Sequence, residues 1–472
     1  MPPKLALLIA LAFIAFVFVA ERKRNVDVSP ALFWVLLWCL VAASRPVGMW
    51  LYLWGVPALG SDDPTEGSLP ERLFYGTLML IGMFLLARRR FEPAAWGRDN
   101  IWILLLFFYM AVSIVWSDYP MVSFKRLVKS FGAMIMALVV LTEANPMEAV
   151  SAVLRRCAYI HIPLSVIVIK YFRDIGVSFS YFGETSWVGI ATSKNTLGQV
   201  AAVSALYFIW EWLRNAGNKE GRVIRALYLV MSLWLLKGAD DSVSMTSLTV
   251  FALCLFVFWR LQRFEARPLE GGRFFVAMSV MILGMLGFFI THSLVHFPED
   301  SLFGAAVKAL GRDMTFTGRT EIWHDVYQVA SRSPLVGVGY GAFWIGRLAN
   351  IPWTEQMTWT LGQAHNGYVD TYLQLGWVGV FLLLAVIVSA MPRIVRSFHV
   401  DFEYGRFRMT FFLVILFVNI TESTFLRGEH FLWFLFLLTA LSLPWTGNQT
   451  VDAAVEATAP RAMPSTKTRA GA

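Results

Sequence analysis

The sequence predicts an all-α polytopic membrane protein, on three observations. Of the 472 residues, 57% are hydrophobic and only 15% are charged, whereas a soluble domain carries roughly 25% charged residues. The mean hydropathy is +0.58, and apolar runs near the roughly 20 residues of a spanning helix recur along almost the whole chain. The three cysteines, Cys39, Cys157 and Cys254, lie inside apolar runs, so we expect no disulfide and no metal cluster.

Thirteen apolar segments are candidate membrane helices, and the short first segment leaves the expected count at about 12–13. Their bounds are 5–20, 31–53, 71–87, 101–117, 124–142, 150–170, 195–213, 223–237, 243–259, 274–292, 373–391, 409–423 and 429–445. The first segment carries its positive charge at its far end, which favours a reverse anchor over a cleaved signal peptide. The predicted organisation is helices 1–10 within 1–292, a large outer loop over 293–372, helices 11–13 within 373–445, and a disordered tail over 446–472.

The distribution of basic residues predicts the orientation. Alternate connections between the apolar segments, together with the tail, hold 24 of the 40 lysines and arginines. Because basic residues are retained on the cytoplasmic side, the N-terminus is predicted outside and the C-terminus inside, in a bacterial inner membrane. The net charge of +8 therefore reflects topology, and we expect no nucleic-acid partner.

Other basic residues fall at the predicted outer face, where they are disfavoured, and together they indicate an anionic ligand there. Lys125, Arg126 and Lys129 follow the sequence WSDYP at the outer end of a helix. Phosphate or a lipid headgroup suits such a helix end. The alternative is that these side chains snorkel to ordinary headgroups or pair with Asp118 or Glu422.

The outer loop over 293–372 is too long for an ordinary connection, which favours a functional segment. Its aromatic residues include Trp323, Phe343, Trp344, Trp353 and Trp359. In GRDMTFTGRTEIWHDVYQVASRSP (311–334), Thr317 marks a predicted helix start, and apolar residues recur after it at helical spacing. Arg319 in the first turn opposes the helix dipole, so a bound anion would satisfy both the guanidinium and the free N–H groups. An ion pair with Glu321 is the structural alternative.

Two glycine-containing pieces follow in the same loop. SPLVGVGYGAFW (333–344) alternates glycines as a flexible turn or a close-packed backbone does, and it lacks the GxxxxGK[ST] pattern of a nucleotide site. AHNGYVDTYLQLGWVGVF (364–381) leads back into the membrane. His365 is suited to proton transfer near neutral pH, and Asp370, one turn on, would orient its imidazole. The alternative is a histidine that only caps the helix start or is simply satisfied by hydrogen bonds there.

We expect no metal and no cofactor. The acidic pairs Asp62–Asp63 and Asp240–Asp241 are the best candidates for a divalent ion. Neither pair has the neighbouring ligands that a metal site needs, and Lys237 lies one turn from Asp240.

Together these pieces resemble the O-antigen ligase and Wzy-type polysaccharide polymerase superfamily, in particular its exopolysaccharide-production, ExoQ-like branch. The resemblance rests on WSDYP (116–120) with the following FKR, TSKNTLG (192–198), TGRTEIW (317–323), SPLVGVGYGAFW (333–344) and AHNGYVDTYLQLGWVG (364–379). It covers about 100 to 445, and the order and topology of the pieces make it specific. The extra N-terminal helix departs from the twelve spans common in ligases.

The resemblance implies a GT-C-like, metal-independent, inverting glycosyltransferase whose donor is a glycan on undecaprenyl diphosphate. By position, Arg319 would contact the diphosphate, and His365 would act as general base or position the acceptor. The resemblance also suggests Lys194, Arg126 and Arg427 as further diphosphate or headgroup contacts. We add Lys129 and Arg312 as candidates for the same contacts, with Asn366, Asp370 and Trp323 as supporting residues. This agrees with elementary chemistry, because preorganised cations stabilise the charge that develops on a diphosphate leaving group.

Three functional hypotheses follow. The first, favoured by the ExoQ-like pattern, is a polymerase that joins lipid-linked repeat units into an exopolysaccharide or O-antigen-like polymer. The second is a ligase that passes finished glycan to lipid A core or to protein. The third is a lipid-linked glycan flippase or transporter, for which the sequence lacks an obvious half-to-half repeat. The expected partners are the lipid-linked glycan, an acceptor glycan or lipid A core, and membrane lipids, with a chain-length regulator as a further candidate.

Overall fold

The computed structural model describes residues 1–22, 28–56, 68–89, 91–179, 185–215, 221–238, 245–263, 331–345 and 362–442, with single positions between 273 and 284 and between 323 and 330. The helices before the first strand are α1 (Pro3–Arg22), α2 (Leu32–Ala43), α3 (Val47–Leu53), α4 (Leu69–Arg88), α5 (Pro93–Asp99), α6 (Ile101–Val112), α7 (Pro120–Leu141), α8 (Pro146–Tyr171) and α9 (Arg173–Gly176). A 3-10 turn (Ser113–Trp116) follows α6, and β1 (Val177–Phe179) pairs antiparallel with β2 (Thr185–Trp187). The later helices are α10 (Lys194–Arg214), α11 (Arg222–Lys237), α12 (Met245–Gln262), α13 (Gly367–Val400), α14 (Phe402–Thr421) and α15 (Phe431–Ala440).

The prediction of an all-α polytopic membrane protein is confirmed. Within the described part of the chain, five helices are long and apolar enough to cross a bilayer, namely α1, α4, α8, α13 and α14. The number rises to seven if the bent pairs α2–α3 and α5–α6 each form one span. The count of thirteen stays a prediction, since most of 274–292 lies outside the described residues, as does the tail predicted to be disordered.

One predicted helix is broken within its bounds, and another is preceded by a sharp bend. The segment 31–53 consists of α2 and α3, which meet at 74°. Pro46 explains the break, because a proline disfavours helical backbone at the residue before it, here Arg45. The predicted segment 101–117 is continuous, since α6 tightens at Val112 into the 3-10 turn that ends at Trp116. The bend of 94° lies before this segment, where α5 meets α6 at Asn100. Hydropathy detects the apolar run over 31–53 but not the change of direction within it.

Contacts between helix ends agree with the predicted alternation of sides. The end of α1 meets the start of α8 and the end of α10, where Arg155 contacts Glu21 and Glu211. The end of α4 meets the end of α7 through an ion pair between Arg89 and Glu143. Each of these contacts joins chain segments that the charge distribution places on the cytoplasmic side. Which end of the bundle faces the cytoplasm stays a prediction.

Helix α14 lies at the centre of the bundle. It is almost completely buried and packs against α10, α12, α13 and α15. In contrast, α1 and α4 leave most of their apolar surface exposed, as lipid-facing helices do. The connection that leaves α14, residues 422–430, is therefore held among the ends of several helices at the predicted outer face.

Candidate functional site

The connection over 422–430, here called the α14–α15 loop, is fastened to its surroundings. The Asn419 side chain accepts hydrogen bonds from the backbone N–H groups of Thr424 and Phe425 at 2.9 and 3.0 Å. Leu426 has a φ of +61°, which is rare for a bulky residue and requires support from its neighbours. Its carbonyl accepts hydrogen bonds from the hydroxyls of Ser130 and Tyr340. The loop is thus tied to both α7 and the glycine-rich segment.

His365 lies in a strained turn immediately before α13. Its φ is +52°, in the left-handed region. Asn366, rather than His365, caps α13, because its side-chain oxygen accepts from the N–H groups of Tyr368 and Val369 at 3.0 and 3.1 Å. The imidazole remains 28% exposed. The structure therefore removes the capping alternative for His365 and leaves its ring accessible.

Glu422 is the carboxylate that faces His365. Its side chain is only 4% exposed, and one of its oxygens lies 3.4 Å from Nδ1 of His365. It also accepts hydrogen bonds from the side-chain amides of Asn195, at 2.7 Å, and Gln363, at 3.5 Å. Asn195 belongs to the first turn of α10, whose N-cap is Ser193. Three segments far apart in sequence thus meet at one buried carboxylate.

Asp370 does not orient the imidazole, and this prediction was wrong. Its Oδ1 accepts hydrogen bonds from the N–H of Ala364, at 3.1 Å, and from the indole of Trp344, at 2.8 Å. Its Oδ2 accepts from Arg427 at 3.1 Å. Asp370 lies in the first turn of α13, and its side chain reaches back to the peptide N–H of Ala364. His365 lies in the turn before the helix, where its imidazole faces Glu422 instead. Asp370 instead fixes the peptide that precedes the histidine.

Arg427 is held by the same arrangement. Besides Asp370, it donates a hydrogen bond to the carbonyl of Gly362 at 3.1 Å. Its side chain remains 29% exposed. The structure therefore assigns Arg427 a role in joining the α14–α15 loop to the start of α13. Its predicted contact with a diphosphate is not tested.

The glycine-rich segment 333–344 packs directly against the backbone of α13. Val338 and Gly339 donate backbone hydrogen bonds to the carbonyls of Leu373 and Gln374 at 3.2 and 2.9 Å. Helix α13 is broken at Gly376, where φ is +62° and ψ is −165°. A side chain at this position would overlap the carbonyl of Leu335. Of the two interpretations of the alternating glycines, the structure therefore supports close-packed backbone.

Trp323 supports the histidine turn from the outer loop. Its buried indole donates a hydrogen bond to the carbonyl of Ala364 at 2.7 Å. It belongs to an apolar cluster with Val326, Ala330 and Phe343. These contacts fit the predicted amphipathic helix after Thr317. Arg312 and Arg319 themselves lie outside the described residues.

A cavity of about 530 Å³ lies between α2, α4, α7 and the α14–α15 loop. Its basic lining residues are Arg72, Lys125, Arg126 and Lys129, its carboxylates are Glu71 and Glu429, and its apolar wall includes Trp38, Tyr75 and Met79. The ammonium of Lys129 lies 5.4 Å from the centre of the Tyr75 ring. Arg126 donates a hydrogen bond to the carbonyl of Gly341 at 2.5 Å, so the glycine-rich segment borders this cavity.

The cavity carries an excess of positive charge at neutral pH. Glu429 is exposed. The desolvation it undergoes at the cavity favours its neutral form, but Lys129 and Arg126 outweigh this and hold the pKa of the carboxyl below its ordinary value. Burial, assisted by Arg427, lowers the pKa of His430 to about 4, so this side chain is neutral. Four basic side chains therefore face two carboxylates. An anion that enters the cavity is stabilised by the surplus.

The structure divides the predicted site residues into two groups. His365, Asn366, Asp370, Trp323 and Arg427 surround the histidine turn, and Arg126 and Lys129 line the cavity. Lys194 begins α10, beside the asparagine that contacts Glu422. Among the described residues, no group of three or more His, Cys, Asp or Glu side chains has the geometry to hold a metal ion.

Sequence reasoning missed Glu422, Asn195, Gln363 and Glu429 as members of the site. One signal was present. The sequence ESTFLRGEH (422–430) places two carboxylates, an arginine and a histidine in a short connection between apolar helices. Such a density of polar residues exceeds what a connection needs to remain solvated.

Comparisons with known proteins match the sequence motifs. Residues 227–384 match the family model described as O-antigen ligase. The chain is 26% identical over 304 residues to the exopolysaccharide production protein ExoQ of Rhizobium meliloti (strain 1021). That alignment covers 61% of this chain and 64% of the relative's length. The predicted resemblance to the O-antigen ligase superfamily and its ExoQ-like branch is confirmed. The matched family region runs from α11 into α13 and includes the whole outer loop and His365.

Proposed function

We propose that this polytopic membrane protein, similar to O-antigen ligases, is a glycosyltransferase that polymerises undecaprenyl-diphosphate-linked repeat units into exopolysaccharide. The family match and the similarity to an exopolysaccharide production protein support an enzyme of the polymerase or ligase type. One structural observation carries the proposal. The α14–α15 loop contributes to two neighbouring features. Its Glu422 faces the accessible imidazole of His365, and its Glu429 and His430 line the basic cavity.

The cavity has the two surfaces that a lipid-linked diphosphate needs. Lys125, Arg126 and Lys129 offer positive charge at the start of α7, suited to a phosphate headgroup. Apolar side chains of α2 and α4, such as Trp38 and Met79, continue the same cavity. Because α4 leaves most of its surface exposed, a polyprenyl tail has apolar helix surface to lie against. A soluble sugar nucleotide would make no use of this apolar wall.

The proposed reaction needs a base and a stabilised leaving group. The acceptor hydroxyl oxygen forms a bond to the anomeric carbon while the bond from that carbon to the diphosphate oxygen breaks. The lipid diphosphate departs with the electron pair, and the hydroxyl proton passes to the imidazole of His365. Attack opposite the leaving group inverts the anomeric configuration. Positioned proton transfer of this kind contributes about 10²–10⁴-fold in rate.

Cations stabilise the departing diphosphate in this proposal. Arg319, beyond the described residues, is proposed to contact it directly, and Arg126 and Lys129 to hold the headgroup within the cavity. We place the site on the periplasmic side of the inner membrane, from the distribution of lysine and arginine between the connections. In the periplasm no ATP is available, so the energy of the glycosidic bond comes from the activated lipid-linked donor.

A ligase is the second candidate, because the matching family model is described as O-antigen ligase. Donor and chemistry would be unchanged, and lipid A core or a protein would replace the growing glycan as acceptor. The two functions differ in the lipid-linked intermediate that accumulates when the protein is missing.

Lipid-linked glycans from cells that lack the protein test the proposal. The cells are complemented with wild type, His365→Ala, Arg319→Ala or Arg319→Lys, at matched amounts of membrane protein. Single repeat units without long polymer, in the deletion and in all three variants, are the expected result. The Arg319→Lys variant is also expected to form no long polymer, because lysine lacks the bidentate guanidinium group. His399→Ala is the matched control, since this histidine is exposed at the opposite end of α13.

Two outcomes contradict the polymerase. Long polymer that remains on undecaprenyl diphosphate in the deletion identifies a ligase. Unchanged pools of repeat unit and polymer, or repeat units trapped on the cytoplasmic leaflet as a flippase defect predicts, exclude glycan transfer by this protein. Normal polymer from both the His365 and Arg319 variants overturns the assignment of the site.

A further inference from the structure

The carboxylate of Glu422 is surrounded by side chains from two other parts of the chain, the start of α10 and the turn before α13. Asn195 donates to one oxygen at 2.7 Å, and the other oxygen lies 3.5 Å from Gln363 and 3.4 Å from Nδ1 of His365. A buried carboxylate is expensive unless hydrogen bonds satisfy it. The amides of Asn195 and Gln363 supply hydrogen bonds to the carboxylate, and they hold one of its oxygens next to the imidazole of His365.

The backbone of the same residue has a separate task. The carbonyl of Glu422 accepts a hydrogen bond from the N–H of Gly367 at 3.1 Å, and Ser423 accepts one from the N–H of Asn366, also at 3.1 Å. These bonds hold the turn in which His365 adopts its left-handed backbone. They involve no atom of the Glu422 carboxylate. Side-chain substitutions at Glu422 therefore probe the imidazole contact separately from the turn.

We infer that Glu422 is a positioning residue for His365, and that Asn195 holds Glu422 in place for this role. The inference rests on the proposed function of His365. The amide nitrogen of Gln363 also lies 3.2 Å from Nδ1 of His365 and 3.5 Å from the carboxylate. When this amide donates to Glu422, the carboxylate also accepts the Nδ1–H hydrogen, in the tautomer whose Nε2 carries the free lone pair. Nε2 then takes the proton of the acceptor hydroxyl as the new glycosidic bond forms. The resulting imidazolium lies beside the Glu422 charge, which stabilises it.

This role explains why Asn195 lies where it does. The sequence TSKNTLG begins α10, with Ser193 as the N-cap, whose hydroxyl accepts from the N–H of Thr196 at 3.1 Å. The cap fixes the first turn and with it the direction of the Asn195 side chain. An amide is suited to this position because it donates to the carboxylate without adding a charge. A cation there would neutralise Glu422 and weaken its effect on the imidazolium.

Kinetics of polymer formation in membrane vesicles supplied with lipid-linked repeat unit test the inference. Glu422→Gln preserves the size of the side chain but removes the charge. The expected result is a fall in kcat of about 10–100-fold with little change in KM, as for partners of functional histidines elsewhere. Glu422→Asp is expected to recover part of the rate. Glu92→Gln, at an exposed position immediately before α5 on the predicted cytoplasmic side, is the matched control and is expected to behave as wild type.

A double substitution tests whether Asn195 acts through Glu422 or stabilises the site independently of it. Asn195→Ala alone is expected to lower kcat about three- to tenfold, and to add nothing in the Glu422→Gln background, because residues that act as a unit are not additive. Independent, multiplicative losses, or a rise in KM at constant kcat, overturn the inference. So does wild-type kcat in Glu422→Gln when His365→Ala is inactive. If wild type itself forms no polymer in vesicles with intact substrate, the proposed function fails instead.

Discussion

The two ends of the helical bundle use basic residues in different ways. At the predicted cytoplasmic end, Arg155 lies buried between Glu21, Glu148 and Glu211, at 2.9, 3.3 and 3.5 Å. Its charge is matched within the chain. At the predicted outer end, Arg126 and Lys129 belong to a cavity lining with twice as many basic side chains as carboxylates. Charge matched by buried carboxylates joins helices, whereas surplus charge around a concave space is suited to binding a ligand.

Substitution of Arg155 is expected to have the largest effect on folding. Arg155→Ala would remove a buried cation from beside Glu211 and one of the two arginines that contact Glu21. Breaking a buried ion pair in this way costs about 3–5 kcal/mol. We expect little protein in the membrane and a large fall in the melting temperature of the purified protein in detergent. Arg22→Ala, at an exposed position in the last turn of α1, is the control and should have no such effect. Normal abundance of Arg155→Ala would show that the cluster does not hold the bundle together.

Gly376→Ala tests the break in α13 and is expected to have the next largest effect. The backbone conformation at this position is one that only glycine adopts readily, and forcing another residue into it costs about 1–3 kcal/mol. The added methyl group would also overlap the carbonyl of Leu335 and displace the glycine-rich segment. Thermal stability and polymer formation are both expected to fall. Gly362→Ala, where a methyl group meets open space, should change neither; equal losses in both variants would contradict the account.

Lys129→Gln tests the ligand-binding end without threatening the fold. We expect normal protein abundance and roughly tenfold lower polymer formation at limiting substrate, equivalent to about 1.4 kcal/mol. Added inorganic diphosphate should inhibit wild type, and should inhibit the variant less strongly. Lys4→Gln, an exposed lysine at the predicted outer start of α1, provides the comparison. Equal inhibition of Lys129→Gln and wild type would remove the cavity from the account.

The smallest effect is expected from a substitution of Trp323, which supports the turn that contains His365. Trp323→Phe retains most of the apolar ring and loses the hydrogen bond to the carbonyl of Ala364. A single bond of this kind contributes about 0.5–1.5 kcal/mol. We expect a slightly lower melting temperature and a partial loss of activity. An unchanged melting temperature would show that the outer loop is not fastened to the turn by this contact.

The sequence predicts features that depend on local pattern. Apolar runs gave the helical membrane class, and alternate basic connections gave a pattern of sides that the Arg155 and Arg89 contacts fit. His365 is a candidate because a residue type suited to proton transfer stands in a polar motif at the start of a helix. The break at Pro46 could have been predicted from the residue type, but the apolar run continues across the proline and favours a single helix.

Features that depend on long-range proximity were not predictable. Asp370 is close to His365 in sequence, yet its carboxylate binds the backbone at Ala364 and Arg427. The true neighbour, Glu422, lies 57 residues further along the chain. Two helices, α13 and α14, must pack before the two side chains meet. A single sequence records the types of these residues but not the pairing.

A direct measurement on the purified protein tests the central claim that the outer face carries a glycan polymerase. The protein is reconstituted into lipid nanodiscs with a synthetic undecaprenyl-diphosphate-linked repeat unit, and products are separated by length. The account predicts a ladder of lipid-linked polymer with release of one undecaprenyl diphosphate per bond formed, absent in His365→Ala and present in His399→Ala. A substrate that stays a single repeat unit with folded wild-type protein, or an identical ladder from His365→Ala, would contradict it.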